Sequence, residues 1–205
     1  MDVKGFEEKL LQHMDEFKCP VHLCLGQEEV PEALSQFLRK DDWLFSTHRS
    51  HGHYLAKGGD PRKLWDEIAG LETGINGGFS GSMSYSDPSI NFHASAIVGG
   101  LIGVATGTAL ALKGSGSIVV CCIGDAATEE GVFWESINFS VVKKLPILFI
   151  CENNQYSTHV HIKERQATPI WKRVHSFGMN ARTHLNFDVE LPCFVEVEEI
   201  GRAHV

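Results

Sequence analysis

Ile118-Val-Val-Cys-Cys-Ile-Gly-Asp125 and Leu145-Pro-Ile-Leu-Phe-Ile-Cys-Glu-Asn-Asn154 decide the architecture of this chain. Each holds a continuous, β-branched or apolar run of strand length, the pattern of a strand buried on both faces. Between them Phe133, Ile137 and Val141 recur at four-residue spacing and give the intervening helix one apolar face. Thr128 is placed to cap that helix, with Glu129 and Glu130 in a first turn that favours negative charge. The unit is β-α-β, and the predicted fold class is α/β, with helices on both faces of a mostly parallel sheet.

Upstream, Phe6–Phe17 and Val30–Arg39 carry helical periodicity, the second with Pro31 at a tolerated first-turn position. Ser46-Thr-His-Arg-Ser-His-Gly-His53 reads as a loop, and Asp60-Pro61 as the cap and first residue of a helix that stops at Gly70. Residues 74–82 form a glycine-rich segment, read as a flexible connection, with phosphate binding as the other reading. Ile97–Leu112 is apolar or small throughout, too short to span a bilayer, and reads as a buried helix.

The chain has 205 residues, 43% of them hydrophobic, and 18 basic against 26 acidic side chains give a net charge of −8. That balance argues against a nucleic-acid footprint, a polybasic membrane patch and disorder. The six cysteines form no Cys-x-x-Cys pair and read as buried thiols. Met1–Glu16 lacks the apolar core of a secretory signal, so a reducing, cytoplasmic setting is expected.

A parallel β-α-β crossover brings the carboxyl ends of both strands to one sheet edge, where open α/β sheets bind ligands. Asp125 ends the first strand and Asn154 the second, so two hard oxygen donors meet there. Two oxygens are too few for an all-protein cage but suit magnesium, which takes its other ligands from water and substrate phosphates. The amides of 124–127 could meet those phosphates. On spacing alone, the same residues could instead cap a turn and close Asx-turns. Neither a Walker loop nor a G-x-G-x-x-G follows the first strand.

Gly124-Asp-Ala-Ala-Thr-Glu-Glu-Gly131, followed one crossover later by Glu152-Asn-Asn154, resembles the thiamine-diphosphate signature of Gly-Asp-Gly and Asn-Asn. The wording is most similar to the alpha subunit of 2-oxo-acid dehydrogenases of the pyruvate, branched-chain and acetoin types. Phe6-Glu-Glu-Lys-Leu10, Gly26-Gln-Glu28, the segment 46–58, Gly81-Ser-Met83 and Ala96-Ile-Val-Gly-Gly100 agree in order, so the likeness runs over residues 6–180. It implies the three-layer α/β/α thiamine-diphosphate-binding fold. A helical segment would occupy 1–45, the diphosphate and magnesium domain 46–182, and a truncated or artefactual tail 183–205.

The resemblance further implies that Asp125, the Asn154 side chain and the Tyr156 carbonyl hold Mg²⁺. It implies that Arg49, with His48, grips the diphosphate of thiamine diphosphate, and that Gly124, Ala126 and Ala127 add backbone contacts. Ala96 and Val98 would present main-chain groups to the aminopyrimidine ring, and His51 would line the site as the catalytic histidine. The implied reaction is oxidative decarboxylation of a 2-oxo acid, or acetoin cleavage, with acyl transfer to lipoamide. The implied partners are a beta subunit in an α2β2 assembly, which brings the activating glutamate, and a lipoyl acyltransferase. The chain alone is then expected to be inactive.

His48, His51 and His53 could be mistaken for a zinc site, but no fourth ligand of suitable spacing is visible. His159 and His161 follow the second strand and read as surface imidazoles. Ala126 replaces the second glycine of Gly-Asp-Gly, a departure costing ~1 kcal/mol if that position needs positive φ. Family alpha subunits are much longer, and Glu199-Ile-Gly-Arg-Ala-His-Val205 resembles the translation of a sequencing adapter, so the reading frame is expected to be truncated. A split transketolase-like subunit and a non-catalytic cofactor-binding fragment are the alternative functions.

Overall fold

The computed structural model describes residues 2–198. The elements in chain order are α1 (Val3–Gln12), α2 (Glu29–Phe37), β1 (Trp43–Ser46), α3 (His51–Ala56) and α4 (Pro61–Ile68). There follow β2 (Ser86–Asp87), β3 (Phe92–Ala94), α5 (Ile102–Ala111), β4 (Val119–Gly124), α6 (Gly131–Lys143) and β5 (Ile147–Asn153). The last are β6 (Tyr156–Ser157), β7 (Val160–His161), α7 (Ile162–Arg165), α8 (Ile170–Ser176), β8 (Asn180–Arg182) and β9 (Cys193–Glu198). These make two compact units, residues 2–40 with 46–96 and residues 41–45 with 97–198.

In the second unit the strand order is β1-β4-β5-β9-β8, and each neighbouring pair is parallel. Val119, Cys121, Ile123, Ile147, Phe149, Cys151 and Phe194 form one face. Ile102, Ala105 and Ala109 of α5, Phe133 and Ile137 of α6, and Ile170 and Val174 of α8 pack on it. The alternate residues Val120, Cys122, Leu148, Ile150 and Val195 are buried as well, so these strands carry the two-sided burial that their unbroken apolar runs require. The six cysteines are free thiols, and burial pushes that of Cys121 well up.

The first unit holds α1 to α4 and the β2–β3 hairpin. Asp60 caps α4 by accepting from the Arg62 amide at 2.8 Å, with Pro61 at the first helical position, as the sequence predicts. Tyr54, Tyr85 and Phe92 form a buried aromatic cluster in this unit.

The structure corrects several local expectations. The segment read as a loop, 46–53, ends β1 and begins α3. Its glycine is there for space, because a Cβ on Gly52 would lie 2.7 Å from Pro31 Cγ. Helix α6 starts at Gly131 rather than behind a Thr128 cap; residues 125–129 form a tight 3-10 turn, and Thr128 Oγ1 donates to the Asp125 carbonyl at 2.6 Å. Only 102–111 of the expected helix 97–112 is helical, because Gly99 adopts φ +77° in the turn before it. It is not fully buried either, since Val104 and Leu110 are exposed. Within the stretch read as tail, Cys193–Glu198 is the inner strand β9; the adapter-like residues 199–205 lie outside the described residues.

Candidate functional site

Strands β4 and β5 run parallel in a register that pairs Gly124 with Glu152, so Asp125 and Asn154 leave the same edge of the second unit's sheet. Asn153 Oδ1 accepts from the Gln155 amide and Asn154 Oδ1 from the Tyr156 amide, each at 3.0 Å. The asparagine pair thus closes two consecutive Asx-turns, with Gln155 at φ +67°. These turns fold β6 against the 125–129 turn. β6, which begins with Tyr156, is thereby brought beside the turn that begins with Asp125, and the turn-forming reading of the asparagines is compatible with the ligating one. An amide oxygen has two lone pairs, and the Asx-turn uses one.

Asp125 is 2% exposed. Burial pushes its carboxyl up, against the opposing hydrogen bond and charge of Arg165. Arg165 Nη2 pairs with Asp125 Oδ2 while Nη1 pairs with Glu129. Gln166 Nε2 donates to Thr128 Oγ1 at 3.1 Å and to Glu129 Oε1 at 3.0 Å. Asn153 Nδ2 donates to the buried Glu196 at 2.7 Å, which also accepts from the Trp171 amide at 3.0 Å. An aspartate, an amide oxygen and a main-chain carbonyl are hard donors, and this set fits a small divalent cation that keeps water and phosphate ligands. Gly124 has φ −82°, and Ala126 is absent from the positive-φ residues, so alanine in the Gly-Asp-Gly place carries no backbone penalty.

In the first unit, Arg49 Nη1 donates to the Leu23 carbonyl at 2.7 Å. The rings of His48 and His22 meet edge to face, with centroids 5.1 Å apart. Burial, with Arg49 and His22, holds His48 down to about 4, and burial, Arg49 and His51 lower His22. Both imidazoles are neutral at pH 7, and His22 Nδ1 is buried with no hydrogen-bond partner among the described residues. His22 was missed by the sequence reading because its only neighbours in sequence are apolar. Ala96 donates its amide to Ser84 Oγ at 3.0 Å, whereas Val98, in the other unit, is 54% exposed.

His51 is fully buried, with Nδ1 2.7 Å from Glu7 Oε1 and Nε2 2.8 Å from Ser82 Oγ. Glu7 Oε2 also accepts from the Cys24 amide at 2.6 Å. Both ring nitrogens are engaged, so the geometry is that of a bracing group. His53 Nδ1 lies 2.7 Å from Ser46 Oγ. His161 caps α7, accepting from the Lys163 amide at 3.1 Å, and His159 is exposed.

The glycine-rich segment is not a slack connection. Its amides at Asn76, Gly78 and Ser80 converge on the buried carboxylate of Glu67, at 2.5, 3.1 and 2.7 Å. The anion that this cradle binds is the chain's own side chain. Gly78, at φ +77°, has no room for a Cβ, which would lie 2.4 Å from the Gly70 carbonyl carbon.

The model of the dehydrogenase E1 component family matches residues 7–180. The alpha subunit of acetoin:2,6-dichlorophenolindophenol oxidoreductase from Bacillus subtilis is 38% identical over 161 residues, 76% of this chain and 48% of that protein. The pyruvate dehydrogenase E1 component subunit alpha of Rickettsia bellii is 31% identical over 192 residues, 86% of this chain and 59% of that protein. The chain thus spans about half the length of the curated relatives it matches. Transketolase from Campylobacter jejuni shares the fold with a TM-score of 0.74 at 16% identity, over 96% of this chain and 36% of that one. A Mycobacterium smegmatis enzyme described as thiamin diphosphate-dependent gives 0.58 at 18% identity, over 86% and 32%.

Proposed function

Because this chain belongs to the dehydrogenase E1 component family, we propose that it is the alpha-type, metal- and diphosphate-binding part of a thiamine-diphosphate-dependent dehydrogenase. Its substrate would be a 2-oxo acid or acetoin. The observation that supports this reading is the return of β6, through the Asx-turn at Asn154, to the turn that Asp125 opens at the carboxyl edge of β4 and β5. Bound thiamine diphosphate supplies an electron sink for cleavage of the carbon–carbon bond beside a carbonyl.

In this proposal the Asp125 carboxylate, Asn154 Oδ1 and the Tyr156 carbonyl hold Mg²⁺, and Gly124, Ala126 and Ala127 line the diphosphate with backbone. Arg49 and His48 are cofactor donors by the resemblance, a guanidinium fork suited to phosphate and a neutral imidazole that can donate one hydrogen bond. His51 takes a positioning role, holding Glu7 and Ser82. Ala96 and Val98 remain main-chain candidates for the aminopyrimidine. A beta subunit would supply the activating glutamate in an α2β2 assembly, and a lipoyl acyltransferase would take the acyl group. No helix among the described residues is long and apolar enough to cross a membrane, and the proposed setting is cytoplasmic. The likeness to transketolase is one of fold and favours no second activity.

Calorimetric titration of the chain with thiamine diphosphate, with and without Mg²⁺, tests the reading. Magnesium-dependent binding is expected in the parent protein and at least tenfold weaker binding in Asp125→Asn, with the melting transition retained. Binding indifferent to chelator and to Asp125→Asn would overturn it.

A further inference from the structure

Two acidic side chains of β9 reach the loop that carries two of the proposed metal donors. Strand β9 pairs with β5 in a register that sets Cys151 beside Glu196 and Asn153 beside Glu198. Glu196 Oε1 accepts from Asn153 Nδ2 at 2.7 Å, and Glu198 accepts from Gln155 Nε2. The two rungs differ in setting, since Glu198 is exposed whereas Glu196 and Asn153 are buried. Glu196 is itself fixed, because its Oε2 accepts from the Trp171 amide at 3.0 Å. It lies beyond residues 7–180, which carry the family match.

A side-chain amide has a donor end and an acceptor end, and half a turn of its plane exchanges them. Asn153 uses both: Nδ2 meets Glu196, and Oδ1 accepts from the Gln155 amide at 3.0 Å. The flipped amide would set its oxygen against the carboxylate and its NH2 against the Gln155 N–H. A carboxylate only accepts, so Glu196 selects the orientation that closes the Asx-turn. That turn holds Gln155 at φ +67°, a left-handed conformation uncommon for a residue with a Cβ. The Gln155 carbonyl then accepts from the Ile162 amide at 2.7 Å, which ties the far end of the β6–β7 hairpin to the same residue. We infer that Glu196 is a positioning residue for the metal loop, acting through Asn153 to preset the turn that presents Asn154 and Tyr156. Groups one hydrogen bond removed from the donors orient them and so set metal affinity. This inference rests on the proposed metal-binding role of Asn154 and Tyr156.

The test uses the full chain, with Mn²⁺ as the probe in the presence of thiamine diphosphate and bound ion followed by electron paramagnetic resonance. Glu196→Gln keeps the length but offers one acceptor to two donors, so either Asn153 or the Trp171 amide faces a donor. About tenfold weaker Mn²⁺ binding than in the parent is expected. Glu196→Asp keeps the charge but is too short to reach both donors, and binding about tenfold weaker is expected there as well. The double variant Asn153→Asp/Glu196→Gln reverses the polarity of that one bond and retains all three hydrogen bonds, so it is expected to return to the parent's affinity. It reports even where a single variant fails to fold. Without metal, chymotryptic cleavage after Tyr156 is expected to be about tenfold faster in Glu196→Gln than in the parent, and parent-like in the double variant. Parent-like Mn²⁺ affinity in a folded single variant, or a double variant that does not fold or stays below the parent, overturns the positioning role while leaving the metal site standing. Failure of the parent to bind Mn²⁺ at all overturns the metal site itself, whereas cleavage after Tyr156 that is unchanged across the variants overturns only the hold on the turn.

Discussion

Glu7 on α1 and His51 at the start of α3, 44 positions apart in sequence, share a buried hydrogen bond of 2.7 Å. The other oxygen of Glu7 takes the Cys24 amide, and the other nitrogen of His51 meets Ser82. One carboxylate thus ties a helix, a helix start and an extended segment, while Arg49 holds the neighbouring Leu23 carbonyl. The segment bearing His22 is clamped from both sides.

Glu7→Ala would leave the Cys24 amide and a histidine nitrogen unpaired in the interior. A loss of about 3 kcal/mol is expected, since each orphaned buried polar group costs roughly 1–3 kcal/mol. Glu7→Gln should lose less, because an amide can still serve one of the two partners. Urea unfolding of both variants checks the order.

Glu67→Ala would remove the anion on which three loop amides converge, again by about 3 kcal/mol. Residues 74–80 should then become the first site of proteolysis, as expected of a loop whose amides have lost their partner. Gly78→Ala should cost at least ~2 kcal/mol, because positive φ and a backbone collision act together.

Ala126→Gly should bind thiamine diphosphate no more tightly than the parent and should be slightly less stable, by ~0.5–1 kcal/mol, through added freedom of the unfolded chain. Calorimetry and thermal melting of the one variant test both statements.

His48 is held at about 4 against an ordinary value of 6.5, and His22 is lowered in the same direction. Between those values the unfolded chain binds more protons than the folded one. Stability is therefore full above pH 6.5 and declines as pH falls towards 4. Melting temperatures across that range should show the slope, and His48→Gln should flatten it.

The β-α-β unit was legible because β4 and β5 carry unbroken apolar runs, and a doubly buried strand admits little else. Helix α3 was hidden by its composition: histidine and glycine suggest a loop, whereas Gly52 is there to let Pro31 approach. Strand β9 was hidden by Glu196, a charged residue buried in mid-strand for the sake of Asn153 and the Trp171 amide. Asp125, Asn154 and Tyr156 could be named because they sit in a local motif. Glu7, Ser82 and Arg165 act across 31 to 44 positions through single side-chain contacts, and no local pattern announces such a partner.

Strand β9 follows β8 in sequence yet lies between β8 and β5 in the sheet. A nascent chain therefore cannot extend this sheet one strand at a time, since β8 has no neighbour in it until residues 193–198 arrive. Until then the outer edge of β5 stands open, with Leu148 to Asn153 unpaired on that side. Long-range parallel pairing of this kind is slow and leaves such edges exposed to other chains. Shortening the chain by a dozen residues from Glu198 backwards would remove an interior strand, and aggregation during synthesis would be its first symptom.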